Sequence, residues 1–317
     1  MVTKSEDVAR AAGVSRGTVS QILNGHGQRF SVATQERVRR LAVELDYRPS
    51  IAGRALAMGA SDIVVLLVPF TAINAHLQSV LERATDDLAT HGLTLVLRLA
   101  TQSAASVEQL VADLRPRAVL SLVPFTAAER AALDRHDIVA IDPAQVDDGV
   151  DRRIGRIQAE HLVGKGYRRL AYVHLDDERC RIWGKQREPA VAEVCAENGL
   201  PAPMVLGPRM HPDDVAATVD ALPDETGVAC FNDDIAIALL HAAKLRGRCV
   251  PGGLGLVGMD AIPLAATTHP RLTTVTIDER NAALRLADLV LGKLGIAAPA
   301  TAPDIAAGPR LVEGESA

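Results

Sequence analysis

The stretch Ser5–Asn24, SEDVARAAGVSRGTVSQILN, decides the fold predicted for the start of the chain. Its apolar residues recur at helical spacing on both sides of Gly13, which predicts two short helices joined by a tight turn. Ser15 is well placed to cap the second helix, because its side-chain oxygen can accept a free backbone N–H. Two helices joined in this way form a helix-turn-helix, whose second helix fits the major groove of DNA. The alternative is a helical hairpin with a structural role alone.

The charge of the chain is unevenly distributed. The 317 residues carry a net charge of −5, which argues against a protein that coats nucleic acid with its whole surface. Residues 1–60 contain nine Lys and Arg against five Asp and Glu (+4), whereas the remainder contains 25 against 34 (−9). A basic N-terminal part on an acidic body predicts that only the N-terminal part contacts phosphate.

Length and composition indicate a multidomain globular protein. A chain of 317 residues that is 48% hydrophobic and 23% charged predicts two or three domains. The N-terminus lacks the apolar run of a signal peptide, and no stretch approaches the ~20 apolar residues that span a bilayer. The four cysteines form no C-x-x-C pair, which predicts buried thiols in a reducing compartment; they are Cys180, Cys195, Cys230 and Cys249. We therefore expect a cytoplasmic protein.

A third helix and a linker follow the opening stretch. Apolar spacing predicts a helix from Val32 to Asp46, with Ser31 as its cap. Pro49 ends this pattern because proline disfavours helix at the residue before it. Residues 51–59, IAGRALAMG, could form only one or two helical turns, which are marginal in water. We interpret them as a linker that orders when something holds it.

From Asp62 onward, short apolar runs alternate with helical patterns. The predicted strands are Ile63–Val68, Thr94–Leu99, Ala118–Val123, Ile138–Ile141, Leu170–His174, Gly227–Phe231 and Leu254–Gly258. Helical patterns between them include His76–His91, Val107–Leu114, Arg153–Lys165, Lys185–Asn198 and Asp233–Arg246. This alternation implies parallel sheets covered by helices, and the length favours two α/β lobes. Ligands of such sheets bind beyond the carboxyl ends of the strands, which predicts a site between the lobes.

Motifs shared with a known family occur along most of the chain. In the N-terminal part they are D-V-A at Asp7–Ala9, A-G-V-S at Ala12–Ser15, T-V-S at Thr18–Ser20, L-N at Leu23–Asn24 and Y-R-P at Tyr47–Pro49, and in the linker Arg54 and Leu56 fit A-R-x-L. In the body they are E-H-L-x-x-x-G-Y-R-R-L-A at Glu160–Ala171, N-D at Asn232-Asp233, V-G-x-D at Val257–Asp260 and L-T-T-V at Leu272–Val275. Together these motifs resemble the LacI/GalR family of bacterial transcriptional regulators.

The resemblance implies a fold and a mode of action. The expected fold is an all-α helix-turn-helix head plus an α/β body, a two-lobed periplasmic-binding-protein-like domain with parallel sheets. The expected domains are a DNA-binding domain at 1–47, a hinge at 48–60 and an effector-binding and dimerisation domain at 61–317. The family resemblance implies a homodimer, or a higher assembly, that binds a pseudo-palindromic operator. It also implies a small effector in the interlobe cleft, a sugar or related metabolite, and a regulator that represses transcription.

The resemblance also assigns DNA-contacting residues. Arg16, Gly17 and Gln21 occupy the base-reading positions, where Arg can pair with guanine and Gln with adenine. Residues that could be helix caps, phosphate contacts or both are Ser15, Thr18, Asn24, Ser31 and Thr34. In the hinge, Arg54 precedes Leu56, which stands where the family inserts an apolar wedge into the minor groove. The alternative for Leu56 is that it packs the linker onto the body.

Candidate effector residues follow from the same resemblance. They are Arg181, Asp260, Asn232, Asp142 and Trp183. Each polar residue could instead be a surface or structural group, and Trp183 could line the cleft or belong to the core. The chain is only 3% aromatic, whereas sugar sites tend to use aromatic platforms, so a changed effector or none remains an alternative.

Other functional classes have weaker support. Gly253, Gly255 and Gly258 spell G-x-G-x-x-G, but they straddle an apolar run instead of following a strand and opening a helix. No histidine pair has metal-ligand spacing and no nucleophile motif occurs, so we expect neither a cofactor nor an enzyme. A solute-binding protein without regulatory DNA binding is the alternative function.

Overall fold

The computed structural model describes residues 3–23, 27–47, 61–69, 74–100, 104–142, 149–176, 184–297 and 308–317. The predicted hinge at 48–60 therefore lies outside the described residues, as do residues 298–307. The N-terminal head, residues 3–47, contains α1 (Ser5–Ala12), α2 (Arg16–Leu23) and α3 (Val32–Glu44). The third helix thus ends two residues before the predicted Asp46.

The head folds around a small apolar core. Val8, Val19 and Val38, one from each helix, are fully buried at its centre. Gly13 ends α1 with a φ of 66°, a left-handed conformation that glycine adopts without steric cost. The tight turn that it makes sets α2 against α1, which is the predicted helix-turn-helix.

The first lobe of the body, the N-lobe, has a parallel α/β pattern. Its elements are β1 (Ile63–Val68), α4 (Ala75–Thr90), β2 (Thr94–Leu99), α5 (Ala104–Leu114), β3 (Ala118–Ser121), α6 (Ala127–Arg135) and β4 (Val139–Ile141). Among the described residues its sheet has the order β2-β1-β3-β4, with β3 parallel to both of its neighbours. All six residues of β1 are buried, as expected for a strand covered on both faces.

The second lobe, the C-lobe, holds the larger sheet. Its helices are α7 (Val150–Gly164), α8 (Arg187–Glu197), α9 (Pro212–Ala221) and α10 (Asp233–Leu245), and its strands are β5 (Arg169–Val173), β6 (Met204–Leu206), β7 (Thr226–Cys230), β8 (Leu254–Met259), β9 (Thr273–Thr276) and β10 (Arg310–Val312). In the described residues the order is β10-β9-β8-β7-β5-β6, and only β10 pairs antiparallel.

The last long helix, α11 (Glu279–Lys293), follows the C-lobe strands but packs in the N-lobe. Ala287, Val290 and Leu291 are buried in one cluster with residues of β1 and β3. Ala283 packs against Val80 and Ala84 of α4. The N-lobe is therefore completed by a segment that lies far away in sequence.

The predicted strands are present with boundaries that differ by two residues or fewer at each end. Sequence analysis did not identify the short strands β6 and β10 or the fully buried β9, whose sequence TTVT lacks an apolar run. Burial of three threonines in β9 is possible because side-chain hydroxyls find partners, as Thr274 does on the Asp233 carboxylate at 2.6 Å.

The G-x-G-x-x-G pattern has a packing role in this fold. Gly255 and Gly258 lie inside β8, which no helix directly follows. A Cβ atom at Gly255 would collide with the ring of Tyr167, and one at Gly258 would collide with the carboxylate of Asp233. These glycines therefore give neighbouring side chains room to approach the strand.

The cysteine prediction is only partly correct. Cys195 and Cys230 are buried, but Cys249 is exposed in the loop before β8. Cys180 lies outside the described residues. No helix in the described part of the chain is long and apolar enough to cross a membrane.

Candidate DNA-reading surface and ligand cleft

Helix α2 carries the predicted base-reading residues. Ser15 caps this helix by accepting the backbone N–H of Thr18 at 3.0 Å, and the two hydroxyls lie 2.9 Å apart. Arg16 opens the helix with its side chain 71% exposed, and its guanidinium lies 3.4 Å from the Glu6 carboxylate. An ion pair this exposed contributes little stability, about 1 kcal/mol or less, so Arg16 can exchange Glu6 for another partner.

The other two predicted base-reading positions differ in character. Gly17 is exposed, and the nearest atom to a Cβ added there would be Ser15 Oγ at 3.6 Å. Gln21 accepts a hydrogen bond from the guanidinium of Arg29, which lies 5.1 Å above the ring of Phe30. The side chains of Arg16 and Gln21 are therefore held by exposed partners within the head.

A second hydroxyl pair stands at the N-terminus of α3. Ser31 caps this helix by accepting the N–H of Thr34 at 3.3 Å, and their hydroxyls lie 2.8 Å apart. The predicted caps at Ser15 and Ser31 are thus both present. Helix N-termini favour anions because their free N–H groups and dipole point outward, so both pairs suit phosphate oxygens.

Some predicted site residues lie outside the described part of the chain. They are Asn24 in the head, Arg54 and Leu56 in the hinge, and Arg181 and Trp183 before α8.

The main polar cluster of the body follows the carboxyl end of β8. Asp260 lies directly after this strand with a φ of 104°, and its backbone N–H is bound to the carbonyl of Val275 at 2.8 Å. Such a conformation is strained for a residue with a side chain, and strain of this kind concentrates at functional sites. Oδ2 of Asp260 accepts a hydrogen bond from Nδ2 of Asn74 at 2.7 Å. The predicted residue thus lies at a contact between the two lobes.

Asn232 and Asp142 also follow strands, as predicted, but both are tied to local structure. Asn232 caps α10 through an Oδ1 contact of 3.0 Å to the N–H of Ile235. Asp142 follows β4, where Oδ2 accepts from the Arg130 guanidinium at 2.5 Å and from the Phe125 N–H at 3.2 Å. Its other carboxylate oxygen is buried without a partner among the described residues. Asp142 can therefore accept one more hydrogen bond.

Arg187 belongs to the polar cluster around Asp260, and sequence analysis missed it. It begins α8 with only 7% of its surface exposed. Nε donates to Asp151 at 2.6 Å, a terminal nitrogen donates to the Phe231 carbonyl at 2.7 Å, and the guanidinium lies 5.3 Å above the Phe231 ring. Its positive charge also lowers the pKa of Asp260.

Gly155 of α7 allows Arg187 to sit where it does. A Cβ added at Gly155 would lie 2.5 Å from the backbone oxygen of Arg187 and 2.8 Å from its Cα. The glycine therefore lets α7 and the start of α8 approach closely enough to bury the guanidinium.

Two carboxyl groups of this region, one half-buried and one buried, have raised pKa values. Burial raises the pKa of Asp260 to about 6, against the opposing charges of His76 and Arg187 and the Asn74 hydrogen bond. Burial raises the pKa of Asp233 to about 7, although Thr274 and the N–H of Ile262 both donate to it. Burial disfavours the charged form of both groups, and pKa shifts with this cause are typical of functional sites.

The cluster can accept and donate hydrogen bonds but has no ligand set for a metal. Asp260 supplies acceptor oxygens, whereas Arg187 and Asn74 supply N–H donors. In the part of the chain that the structure describes, no group of three or more His, Cys, Asp and Glu is placed to hold a metal ion. The chemistry suits a small polar molecule that carries hydroxyl or amine groups.

Comparison with known proteins follows this division into head and body. The profile of bacterial regulatory proteins of the lacI family matches residues 6–50, and a periplasmic binding protein-like domain matches residues 159–317. A helix-turn-helix head joined to a two-lobed binding body defines a DNA-binding regulatory protein. The chain belongs to the lacI family of bacterial regulatory proteins. It is a sequence-specific DNA-binding transcriptional regulator, and the alternative of a solute-binding protein without regulatory DNA binding is not favoured.

Similar proteins match along most of their length. The chain is 32% identical to the HTH-type transcriptional regulator GntR of Pseudomonas aeruginosa, over 90% of this chain and 89% of that protein. It is 30% identical to a ribose operon repressor of Halalkalibacterium halodurans, with 86% and 85% covered. Among solved structures, the lac repressor dimer bound to operator and the anti-inducer ONPF aligns with a TM-score of 0.73 at 19% identity, covering 100% of this chain and 99% of that one. That likeness shows the fold.

Proposed function

We propose that the protein is a repressor that binds a pseudo-palindromic operator as a dimer and releases or engages it in response to a small polar effector. The observation that carries this proposal is the serine-capped helix α2, which has Arg16 in its first turn and Gln21 in its second, each paired with an exposed side chain of the head. Relatives named as repressors, and a lac repressor dimer bound to operator, support it.

In the proposed complex, the two reading residues exchange partners within the head for bases. Arg16 leaves Glu6 and pairs with a guanine, and Gln21 leaves Arg29 and pairs with an adenine, each for about 1–3 kcal/mol of discrimination. Gly17 has no side chain, so the base opposite it is not read directly. The proposed phosphate and positioning contacts are Ser15, Thr18, Asn24, Ser31 and Thr34.

The hinge adds a second DNA contact in this proposal. Arg54 enters the minor groove near Leu56, whose apolar side chain separates a base step and kinks the duplex. The domain boundaries proposed for this arrangement are 1–47 for the head, 48–60 for the hinge and 61–317 for the body.

The body provides an apolar surface that suits a second copy of the chain. Leu97 and Leu99 of the edge strand β2 are 54% and 52% exposed, and they line a groove with Leu77 and Leu81 of α4. Exposed leucines on an edge strand mark an interaction surface. Two heads held by a symmetric dimer would bind two half-sites, which explains a pseudo-palindromic operator.

The effector, a sugar or related metabolite, is proposed to bind the cleft. Asp260 accepts its hydroxyl groups and Arg187 donates to its oxygens, while further contacts come from Asn232, Asp142, Arg181 and Trp183. The protein acts by binding, without a cofactor and without catalysis, and it works in the cytoplasm, where operator DNA is found. An effector controls DNA binding only if its affinity differs between two arrangements of the lobes.

Selection of operators from random DNA tests the proposal. Wild-type protein is expected to enrich a palindromic sequence in a gel-shift selection at moderate salt. Arg16→Ala is expected to lose preference at one base pair of each half-site. Arg10→Ala is the matched control, because Arg10 is an even more exposed cation of the same head, on α1. Enrichment of no palindrome by the wild type would refute the proposal.

A further inference from the structure

Asn74 makes two hydrogen bonds with the two ends of one amide group. Its Oδ1 accepts the backbone N–H of Leu77 at 2.9 Å and so caps α4 of the N-lobe. Its Nδ2 donates to Oδ2 of Asp260 in the C-lobe at 2.7 Å. The cap fixes the side chain, so the amide N–H₂ is held in place against the opposite lobe.

The Asp260 side of this contact is equally well fixed. The residue is held at a positive φ by a backbone hydrogen bond to Val275. The charges of His76 of α4 and Arg187 of α8 lower the pKa of its carboxyl group, and the charge of Asp234 of α10 raises it. The charge of Asp260 in turn raises the pKa of Asp233. Nδ1 of His76 lies 3.9 Å from Oε1 of Glu279 in α11. Among the described residues, Asn74 is the neutral side chain that donates a hydrogen bond to the carboxylate.

We propose that Asn74 and Asp260 form an interlobe latch, and that Asn74 is the residue an effector must displace. This inference rests on the proposed function for the role of Asp260 in effector binding. Without effector, the Asn74 amide donates to a carboxylate oxygen of Asp260, and this hydrogen bond holds the two lobes together. An effector replaces the amide by donating its own hydrogen bond to this oxygen. The effector must therefore carry a hydroxyl or amine group, because an anion without a hydrogen-bond donor cannot compete with Asn74.

Two substitutions separate the latch from the helix cap. Asp and Ser both keep an N-cap oxygen for the Leu77 N–H. At pH 9, well above the raised pKa of Asp260, Asn74→Asp places a second carboxylate against this group, so that attraction becomes repulsion. Asn74→Ser removes the amide donor and leaves a side chain too short to span the lobes. Asn198→Ser is the matched control, because the Asn198 amide donates to the Val194 carbonyl of its own helix at 2.8 Å.

Distance measurement between spin labels on the two lobes tests the latch. One label is attached to the exposed Cys249 of the C-lobe and one to an Ala131→Cys substitution at an exposed position of α6. The background carries Cys180→Ser, and Cys195 and Cys230 are buried. Doubly labelled full-length chains are diluted into unlabelled protein, so that distances within one chain dominate.

The expected result is a graded opening of the cleft. At pH 9, Asn74→Asp should shift the mean distance by more than ~2 Å and broaden its distribution. Asn74→Ser should give a smaller shift, and Asn198→Ser should match the parent protein. A distribution for Asn74→Asp that superimposes on the parent would overturn the latch. The sample contains neither DNA nor effector, so the test of the latch does not depend on the outcome of the operator selection.

Discussion

The head and the polar cluster of the body each contain a paired arginine, but the two arginines lie in opposite environments. Arg16 of the head is 71% exposed and its partner Glu6 is 54% exposed, whereas the side chain of Arg187 in the body is 9% exposed. An exposed pair exchanges partners at small cost, while a buried charge that loses its partner is strongly destabilising. The head is therefore suited to contact a new surface, and the polar cluster is suited to hold a fixed geometry.

Removal of Arg187 is the sharpest way to break this comparison. Arg187→Ala leaves a cavity and removes the buried hydrogen bonds that the guanidinium donates to Asp151 and to the Phe231 carbonyl, so we expect a loss of about 3 kcal/mol in the free energy of unfolding. Arg135→Ala removes a surface pair with Glu108 and should cost less than about 1 kcal/mol. Urea unfolding of both variants checks the prediction. Equal losses would mean that burial does not distinguish the two pairs.

The buried carboxyl group of Asp233 should make the stability of the protein depend on pH. Burial raises the pKa of Asp233 from 3.8 to about 7, so between these values the folded protein binds more protons than the unfolded chain. The contribution of Asp233 to the free energy of unfolding therefore falls as pH rises from 4 to 7, by a few kcal/mol (roughly 1.4 per unit). Asp233→Asn cannot ionise, so its stability relative to wild type should increase over this range.

Denaturant unfolding of both proteins at pH 5 and pH 8 measures this difference. Asp224→Asn serves as control, because Asp224 has an exposed side chain. A gap between Asp233→Asn and wild type that does not change with pH would contradict the prediction.

The hinge should have an intermediate effect that acts on DNA binding alone. Leu56→Ala removes the proposed wedge, so operator affinity should fall roughly tenfold, about 1.4 kcal/mol, and the bend of the bound DNA should decrease. Gel shifts with circularly permuted operator fragments measure both quantities. An unchanged bend would favour the alternative that Leu56 packs the linker onto the body.

The smallest expected effect comes from Gly17. Among the described residues outside its own helix backbone, a Cβ at this position meets Ser15 Oγ at an ordinary contact distance of 3.6 Å. Gly17→Ala should therefore stabilise α2 by about 0.5–1 kcal/mol through helix propensity. Thermal unfolding of the head shows this as a higher midpoint. A lower midpoint would mean that the glycine has a packing role that the helix geometry does not indicate.

Local patterns predicted most of the fold, because periodicity and caps act over a few residues. Ser15 and Ser31 cap their helices as the sequence indicated. Arg187 could not be found in this way, since its partners Asp151 and Phe231 are 36 and 44 residues away along the chain. A charged residue at the start of a predicted helix is ordinarily solvated, and only the close packing at Gly155 buries this one.

For the candidate site too, the sequence predicted individual residues but not the contacts between them. Asp260 and Asn232 were identified from motifs at strand ends, and the structure adds the contact that Asp260 makes with Asn74, 186 residues earlier. No spacing rule reveals such a contact, because it depends on how two lobes close. Sequence therefore indicated which residues end the strands, and tertiary structure showed which of them meet.

The placement of α11 has a consequence for how the protein is made. Ala287, Val290 and Leu291 complete the N-lobe core, although they follow nearly all of the C-lobe in sequence. A ribosome therefore releases β1 to β4 long before the helix that covers them exists. During synthesis the head can fold at once, but the N-lobe must wait for the C-lobe to emerge. A message truncated after β8 would yield a chain with an intact helix-turn-helix and an unfinished, aggregation-prone body.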